Sequence, residues 1–266
     1  MDDLAAAAIL GLVQGLTEFL PVSSTAHLIL ATQLFGLDPI RFGLAFDVAL
    51  HLGTALAVLI SFRSTWLGLL RDLLAGRWQL PAWIALGTIP AALAGAAFQS
   101  AVERELRGAI PIALGLVLGS VAILIAERVA TRAREGIGRT TLGDALVMGV
   151  AQAIALMPGV SRSGITISAG LARGLARADA ARLSFLLATP IILGAGAKTL
   201  LDARKAADLL SRPDVAAVGF AVSLISGLAT VALLMRFLRT RSLVWFVPYR
   251  MLLAAIVLLG TFGIAR

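Results

Sequence analysis

The stretch EFLPVSSTAHL, Glu18–Leu28, decides the fold because it interrupts a run of apolar residues. AAAAILGLVQGL lies ahead of it and ILATQLFGL follows it. Its eleven residues hold a carboxylate, a proline, three consecutive hydroxyls and one of the two histidines of the chain. Proline removes a backbone donor and clashes with the preceding turn, so a helix usually ends there. The stretch therefore predicts a helix break inside an apolar segment.

The composition indicates an integral membrane protein. Of the 266 residues, 59% are hydrophobic and 14% are charged, and the mean hydropathy is +0.94, whereas soluble domains have about 25% charged residues. Several apolar stretches are long enough to cross a hydrocarbon core of about 30 Å. The acidic start MDDL lacks the basic region of a secretory signal. The absence of cysteine excludes disulfides and thiol catalysis.

The net charge of +8 reflects topology rather than a nucleic-acid partner, because the arginines lie mostly in short connections between apolar segments. Cytoplasmic loops collect Lys and Arg. The connections opposite Met1 hold more arginines, Arg63, Arg71 and Arg77 among them, than those on the side of Met1. We therefore expect both termini outside the cell.

Apolar length predicts six spanning helices and two broken segments. The spans cover residues 43–62, 80–98, 109–127, 183–200, 214–236 and 243–264, and the broken segments cover 4–36 and 143–176. Each half of a broken segment has about 12–17 residues, too few to span at a rise of 1.5 Å each. The sequence thus predicts an all-α polytopic membrane protein with two re-entrant helix–loop–helix segments.

The two broken segments resemble each other. GLVQGLTEFLPVSSTA (residues 11–26) aligns without a gap on GVAQAIALMPGVSRSG (residues 149–164), with Gln14 over Gln152, Ser23 over Ser161 and Ser24 over Arg162. Three spans follow each segment, and an odd number of crossings inverts the second copy. We predict one membrane domain over 1–266, built from repeat one (1–135) and an inverted repeat two (136–266), with the tips meeting near the membrane centre.

The first tip combines groups suited to catalysis. Gln14 and Glu18 are four residues apart and share a helix face, as do Ser24 and His27 if a helix restarts after Pro21. Separately, Glu18 could pair with an arginine, the hydroxyls could cap a helix, and His27 could be a buried imidazole. Together, at membrane depth, they favour a functional site.

The second tip, PGVSRSG, has the features of an anion site. Arg162 lies between Ser161 and Ser163 at a predicted helix start, where free amides bind anions. Its guanidinium also matches phosphate oxygens. A further reading makes Arg162 the internal partner of Glu18. The flanking glycines, Gly159 and Gly164, let the backbone approach a ligand closely.

The combined tips supply an anion clamp, hydroxyls, an acid or base and a carboxylate able to hold a divalent cation or a proton. This set suits phosphoryl chemistry, where catalysis is mainly positioning and charge stabilisation. An apolar enclosure implies a substrate with a hydrophobic part.

The chain resembles the undecaprenyl-diphosphate phosphatases, also called bacitracin-resistance proteins, along nearly its whole length. The matching stretches are QGLTEFLPVSSTAH (14–27), FDVALHLGT (46–54), PGVSRSGITIS (158–168), RADAARLSFLLATP (177–190) and PYR (248–250). The resemblance implies removal of the terminal phosphate of undecaprenyl diphosphate at the outer side of the bacterial plasma membrane. It also implies recycling of the carrier lipid of cell-wall synthesis.

The resemblance further implies catalytic roles for Glu18, Ser24, His27 and Arg162. We expect substrate-binding roles for the neighbouring small and hydroxyl residues, namely Ser23, Thr25, Ser161, Ser163, Gly164 and Thr166. A divalent cation, Mg²⁺ or Ca²⁺, is implied as cofactor. The expected partners are a lipid diphosphate and the bilayer, with no nucleic acid and with a homodimer as a possibility.

One position departs from the family pattern. The first motif of the family usually begins EGLTEF, but Gln14 stands here in place of the glutamate. An amide is a weaker ligand for a hard cation than a carboxylate, so the metal site of Glu18 and Gln14 is altered. Asp47 and His51, spaced i, i+4 on the next span, are either partners of the site or packing groups.

Three alternatives stay open. Ser24 is the first candidate nucleophile, with His27 handling its proton, and water activated by His27 or Glu18 is the rival. A secondary transporter or lipid flippase also fits, since inverted repeats with broken helices are typical of transporters. A structural scaffold leaves both polar tips unexplained.

Overall fold

The computed structural model describes residues 2–38, 41–130 and 134–264, and this part of the chain is almost entirely helical. Its twelve α-helices are α1 Asp3–Thr17, α2 Ser24–Leu34, α3 Leu44–Ser61, α4 Arg63–Leu74, α5 Gln79–Glu105, α6 Ala109–Val129, α7 Leu142–Ile154, α8 Arg162–Ala172, α9 Arg177–Leu201, α10 Ala203–Leu210, α11 Pro213–Phe237 and α12 Val247–Ile264. Short 3₁₀ turns lie before α7 and α12.

The spanning helices confirm the predicted all-α polytopic class. Five helices are long and apolar enough to cross a membrane: α5, α6, α9, α11 and the segment Leu243–Gly260 that contains most of α12. Helices α3 and α4, bent by 74° relative to each other, together make a sixth span when the pair is counted as one. Sequence hydropathy missed α4 because this helix is amphipathic, with Leu69 buried while Leu67 and Leu70 are exposed.

Helices α1 and α2 form the first re-entrant hairpin. Helix α1 ends at Thr17 and α2 begins at Ser24, so the break surrounds Pro21 as the sequence predicts. Arg41, which follows α2, lies 3.2 Å from Asp3 at the start of α1. Because the two ends of the hairpin are joined by this ion pair, the chain enters and leaves at one end of the bundle.

Helices α7 and α8 form the second hairpin, and its mouth lies at the opposite end. Arg173, just after α8, lies 3.0 Å from Asp144 in the first turn of α7. The start of α9 is tied to the far end of α6 by a contact of 2.5 Å between Arg177 and Glu127. The start of α6 lies by the first hairpin, because Arg107, just before α6, is 3.8 Å from Asp47 in the first turn of α3. Since α6 crosses the bundle, the two hairpins enter from opposite ends. Division of the chain into inverted repeats at 135/136 stays a prediction.

The hairpins pack through small residues. Helix α1 lies mainly against α11, and α7 lies mainly against α5. A Cβ atom on Gly149 would stand 2.0 Å from the Gly87 carbonyl oxygen, and one on Gly11 would stand 2.6 Å from the Gly219 carbonyl oxygen. Such close backbone approach is how membrane helices associate in the absence of a hydrophobic driving force between them.

The two tips share an unusual backbone conformation. Ser23 has a φ of 75° and Ser161 a φ of 73°, and they are the non-glycine residues with positive φ in the described part of the chain. These serines are aligned in the two segments and each precedes the first residue of a helix. Strain of about 1–3 kcal/mol at such residues persists only where the surroundings impose it.

Candidate active site

A cavity of about 510 Å³ opens between the two tips, α3, the end of α5 and α9. It is lined by charged and hydroxyl groups and by an apolar wall, the latter made largely of Leu28, Ile29, Val48, Ile191, Ile192 and Ala195. Both hairpins contribute, so residues about 140 positions apart in sequence face one space. The cavity has the mixed lining that is typical of sites for amphipathic ligands.

Glu18 is the centre of the polar network. One carboxylate oxygen, Oε1, accepts a hydrogen bond from the Arg162 guanidinium. The other, Oε2, accepts from the Ser24 hydroxyl at 2.6 Å and from the Gln14 amide nitrogen at 3.1 Å. The Glu18 side chain is 5% exposed, and a buried carboxylate persists only with such partners. The structure therefore brings together four of the residues that the sequence singled out.

Arg162 is held at the start of α8 by local geometry. Ser161 is the N-cap of this helix, and its hydroxyl accepts a hydrogen bond from the Gly164 amide at 3.2 Å. This cap leaves the first amides of the helix and the Arg162 guanidinium near the cavity. Ser23, Thr25 and Ser161 also line the cavity, so their predicted place beside a ligand is compatible with the fold.

Three predicted substrate-binding residues lie behind the cavity wall instead. Ser163 donates to the Leu20 carbonyl oxygen at 2.9 Å and thereby joins the two tips. Thr166 shares a 2.5 Å hydrogen bond with Ser184 on α9. Gly164 packs against Ser161 and Pro21. Their substrate-binding roles stay predictions; the structure shows them positioning the tips.

His27 does not face Ser24. Its Nδ1 lies 2.7 Å from the Ser23 carbonyl oxygen and its Nε2 lies 2.6 Å from the Tyr249 hydroxyl. Because a carbonyl only accepts, Nδ1 donates and, in the neutral ring, Nε2 accepts from Tyr249. The His27 and Tyr249 rings also stack. Both ring nitrogens of His27 therefore have partners other than Ser24, and no contact supports the predicted exchange of a proton between His27 and Ser24.

His51 lies in the position that His27 was expected to hold. Its Nε2 is 3.6 Å from Glu18 Oε2, and its Nδ1 donates to the Asp47 carbonyl oxygen at 2.7 Å. Both His51 and Asp47 line the cavity. In the sequence, the i, i+4 spacing of Asp47 and His51 in FDVALHLGT indicated that the two residues share a helix face. The structure favours the interpretation that they are partners of the site rather than packing groups.

Arg250 ties the two tips together and was missed as a site residue. Its side chain is fully buried, and its guanidinium donates to backbone carbonyl oxygens of Pro21 at 2.8 Å and of Gly159 and Val160 at 3.0 Å. It also donates to Ser120 and Leu116 on α6, both at 3.0 Å. An arginine inside the apolar run of α12 was a signal, because charges at membrane depth are rare and functional.

Apolar helical spans around a cavity lined by a guanidinium, a carboxylate and a hydroxyl define a polytopic membrane protein with an internal polar site. The family model described as "Bacitracin resistance protein BacA" matches residues 7–256. The chain belongs to the BacA bacitracin resistance family, as the motifs predict.

Curated relatives cover almost the whole chain. An undecaprenyl-diphosphatase of Thermodesulfovibrio yellowstonii is 42% identical over 97% of this chain and 98% of its own length. Another undecaprenyl-diphosphatase, from Trichlorobacter lovleyi, is 44% identical over 93% of each chain. A third, from Rubrobacter xylanophilus, is 41% identical over 97% of this chain and 98% of its own length.

Proposed function

We propose that the protein hydrolyses undecaprenyl diphosphate to undecaprenyl phosphate and inorganic phosphate. This activity would recycle the lipid carrier of peptidoglycan synthesis and confer bacitracin resistance. One observation carries the proposal: the Ser24 hydroxyl and the Arg162 guanidinium are bound to the same buried carboxylate, Glu18, inside a cavity with an apolar wall. The family and its relatives support it.

The chemistry follows from the three groups. Ser24 Oγ attacks the terminal phosphorus and its proton passes to Glu18, which already accepts its hydrogen bond. Undecaprenyl phosphate leaves with the bridging oxygen. Water then attacks the phosphoserine, and Glu18 returns a proton to Ser24 and takes one from water. Arg162 stabilises the charge on the transferred phosphoryl oxygens.

A divalent cation, Mg²⁺ or Ca²⁺, is part of the proposal. Glu18 and Ser24 line the cavity and would hold it together with phosphate oxygens, a mode that Mg²⁺ prefers. When bound, the cation neutralises phosphate charge. Gln14 lies behind Glu18, and its Oε1 is buried without a hydrogen-bond partner in the part of the chain that the structure describes. Among the described residues, no group of three or more His, Cys, Asp or Glu side chains could hold a metal ion, so the proposal relies on phosphate oxygens of the substrate for the remaining ligands.

The proposed location is supported by charge and fold together. The cavity is lined by Gly43 and Arg107, which lie at the end of the bundle where Asp3 pairs with Arg41. We propose that this end faces the periplasm or exterior of a bacterial plasma membrane, because the arginine-rich connections gather at the other end.

Ser24→Ala is expected to lower kcat by about a thousandfold or more, because the attacking oxygen is removed while Glu18 and Arg162 stay in place. Phosphate release from undecaprenyl diphosphate in detergent micelles measures this. Acid quenching of the wild type should trap a phosphoserine at residue 24. The matched control is Thr88→Ala, which removes a hydroxyl of α5 that donates to its own helix. Near-normal turnover of Ser24→Ala would establish water as the nucleophile.

Gln14→Glu is expected to raise the affinity for Mg²⁺, so that the concentration giving half-maximal activity falls about tenfold. A second carboxylate would then stand where the Gln14 amide contacts Glu18 at 3.1 Å, and a cation would relieve the repulsion. Mg²⁺ titrations of phosphate release and of thermal unfolding measure this. Gln14→Met, which loses the hydrogen bond without adding charge, is the control. Equal Mg²⁺ dependence in all three proteins would place the cation elsewhere.

The rival function, transport or flipping of an anionic lipid, draws support from the two hairpins that enter from opposite ends of the bundle. Phosphate release in micelles separates the two, because a micelle has no second compartment. A wild-type protein that binds the lipid but releases no phosphate would favour transport.

A further inference from the structure

The cavity carries charged groups at two levels. Glu18, Ser24 and Arg162 form the inner group, described above. An outer group lies toward the α5–α6 connection and consists of Asp47, Gln99, Glu103 and Arg107, all of which line the same cavity. The proposed mechanism uses the inner group alone, which leaves the outer group without a role.

His51 links the two levels and sets their separation. Its Nε2 is 3.6 Å from Glu18, and Asp47 lies one turn earlier on α3, about 5.4 Å along the helix axis. Arg107 Nη2 lies 3.8 Å from Asp47 Oδ2. The two arginines that line the cavity, Arg162 and Arg107, therefore stand at successive levels along α3.

Arg107 is free to change partners in a way that Arg162 is not. The contact of 3.8 Å with Asp47 is longer than a hydrogen bond, and the Arg107 side chain is 35% exposed. The Asp47 side chain is 21% exposed, so the pair is only partly open to solvent. Glu103, one turn before Arg107, accepts a hydrogen bond from Gln99 at 2.8 Å. The contact between Arg107 and Asp47 is therefore longer and more open than the one between Arg162 and Glu18, which leaves the Arg107 guanidinium with donors for a phosphate.

We propose that Arg107 binds the phosphate that stays on the lipid, so that the cavity holds two phosphate subsites. Until substrate binds, Arg107 pairs with Asp47. The inference rests on the proposed function and extends it to substrate class. The terminal phosphate occupies the inner subsite, and the lipid chain follows the apolar wall of α2 and α9. A guanidinium on the leaving phosphate also stabilises the charge that develops when the bridging bond breaks.

Binding of two small probes tests the assignment. Methylenediphosphonate has two phosphorus atoms joined by a carbon that cannot be hydrolysed, and inorganic phosphate has one. Wild-type protein in detergent, at fixed Mg²⁺, is expected to bind methylenediphosphonate more tightly than phosphate. Arg107→Gln should weaken methylenediphosphonate binding about tenfold, the usual size for loss of a charge-assisted hydrogen bond, and leave phosphate binding unchanged. Arg107→Lys should restore part of the loss.

Two further variants make the test specific. Arg104→Gln removes the same charge three residues earlier, at an exposed position that does not line the cavity, and should leave both affinities unchanged. Asp47→Asn should strengthen methylenediphosphonate binding severalfold, because it weakens the competitor for Arg107. Equal weakening of both probes by Arg107→Gln, or weakening of neither, would overturn the proposal.

The outcome is separable from that of the proposed function. Failure of the wild type to release phosphate from undecaprenyl diphosphate would refute the phosphatase activity, whatever the probes do. The second subsite alone would be refuted by two results together. The wild type would hydrolyse undecaprenyl diphosphate normally, and Arg107→Gln would still bind methylenediphosphonate more tightly than phosphate, by the same ratio as the wild type.

Discussion

Arg162→Gln is expected to abolish most hydrolysis, with kcat lowered about a thousandfold. The Arg162 guanidinium and the Ser24 hydroxyl share the partner Glu18, and loss of one preorganised donor to a developing charge costs about 10²–10³-fold. The change also leaves the buried Glu18 carboxylate without its guanidinium partner, which costs about 3–5 kcal/mol of stability. Phosphate release and thermal unfolding in the same detergent measure the two effects.

A double variant separates catalysis from stability. Glu18→Gln with Arg162→Gln removes both charges, and replacement of a whole buried pair is often neutral. We therefore expect its unfolding temperature to return close to that of the wild type while its activity stays lost. Recovery of activity together with stability would show that the pair is structural.

The pair between Arg177 and Glu127 is the matched control. It joins α9 to α6 at the other end of the bundle, away from the cavity. Arg177→Gln should lower the unfolding temperature as well. The kcat of the folded fraction should stay unchanged.

Arg250→Met is expected to lower kcat at least a hundredfold although Arg250 does not line the cavity. Its guanidinium joins Pro21 of one tip to Gly159 and Val160 of the other. Methionine keeps the bulk and loses the donors, so carbonyl oxygens of both tips are left unpaired, at about 1–3 kcal/mol each. A shift of about 1 Å between reacting groups can cost a hundredfold in rate.

Several readouts separate positioning by Arg250 from general unfolding. The rate should be normalised to folded protein, and binding of inorganic phosphate should weaken much less than kcat falls. Arg250→Lys should recover only part of the rate, since an ammonium cannot match the planar donor geometry of a guanidinium. The control Arg239→Met removes an exposed charge from the connection after α11. Normal kcat in folded Arg250→Met would contradict a positioning role.

Local sequence signals predicted the backbone plan well. Apolar length located the six spans, and the prolines with their hydroxyl-rich surroundings located both breaks. The alignment of Ser23 with Ser161 corresponds to the same left-handed conformation in both tips. These features depend on hydropathy and on conformational preferences of a few adjacent residues, which a single sequence displays.

The site was predicted in part. Gln14, Glu18, Ser24 and Arg162 meet as expected, because helix spacing and the two proline breaks place them at tips that face one cavity. His27 turns away because Ser23 and Tyr249 satisfy both ring nitrogens. Spacing along α2 shows which residues share a face, but not which distant side chain that face meets.

The sequence by itself determined the membrane class, the broken helices and the residue types of the two tips. Hydrophobic length and proline breaks act over a few turns and require no knowledge of distant contacts. Only the tertiary structure decided that His51 rather than His27 contacts Glu18, and that Arg250 holds both tips. Those choices depend on which buried carbonyls and carboxylates lack partners once the helices have packed. Arg250 and Pro21 are joined across 229 positions, a separation over which the chain has no local preference to display.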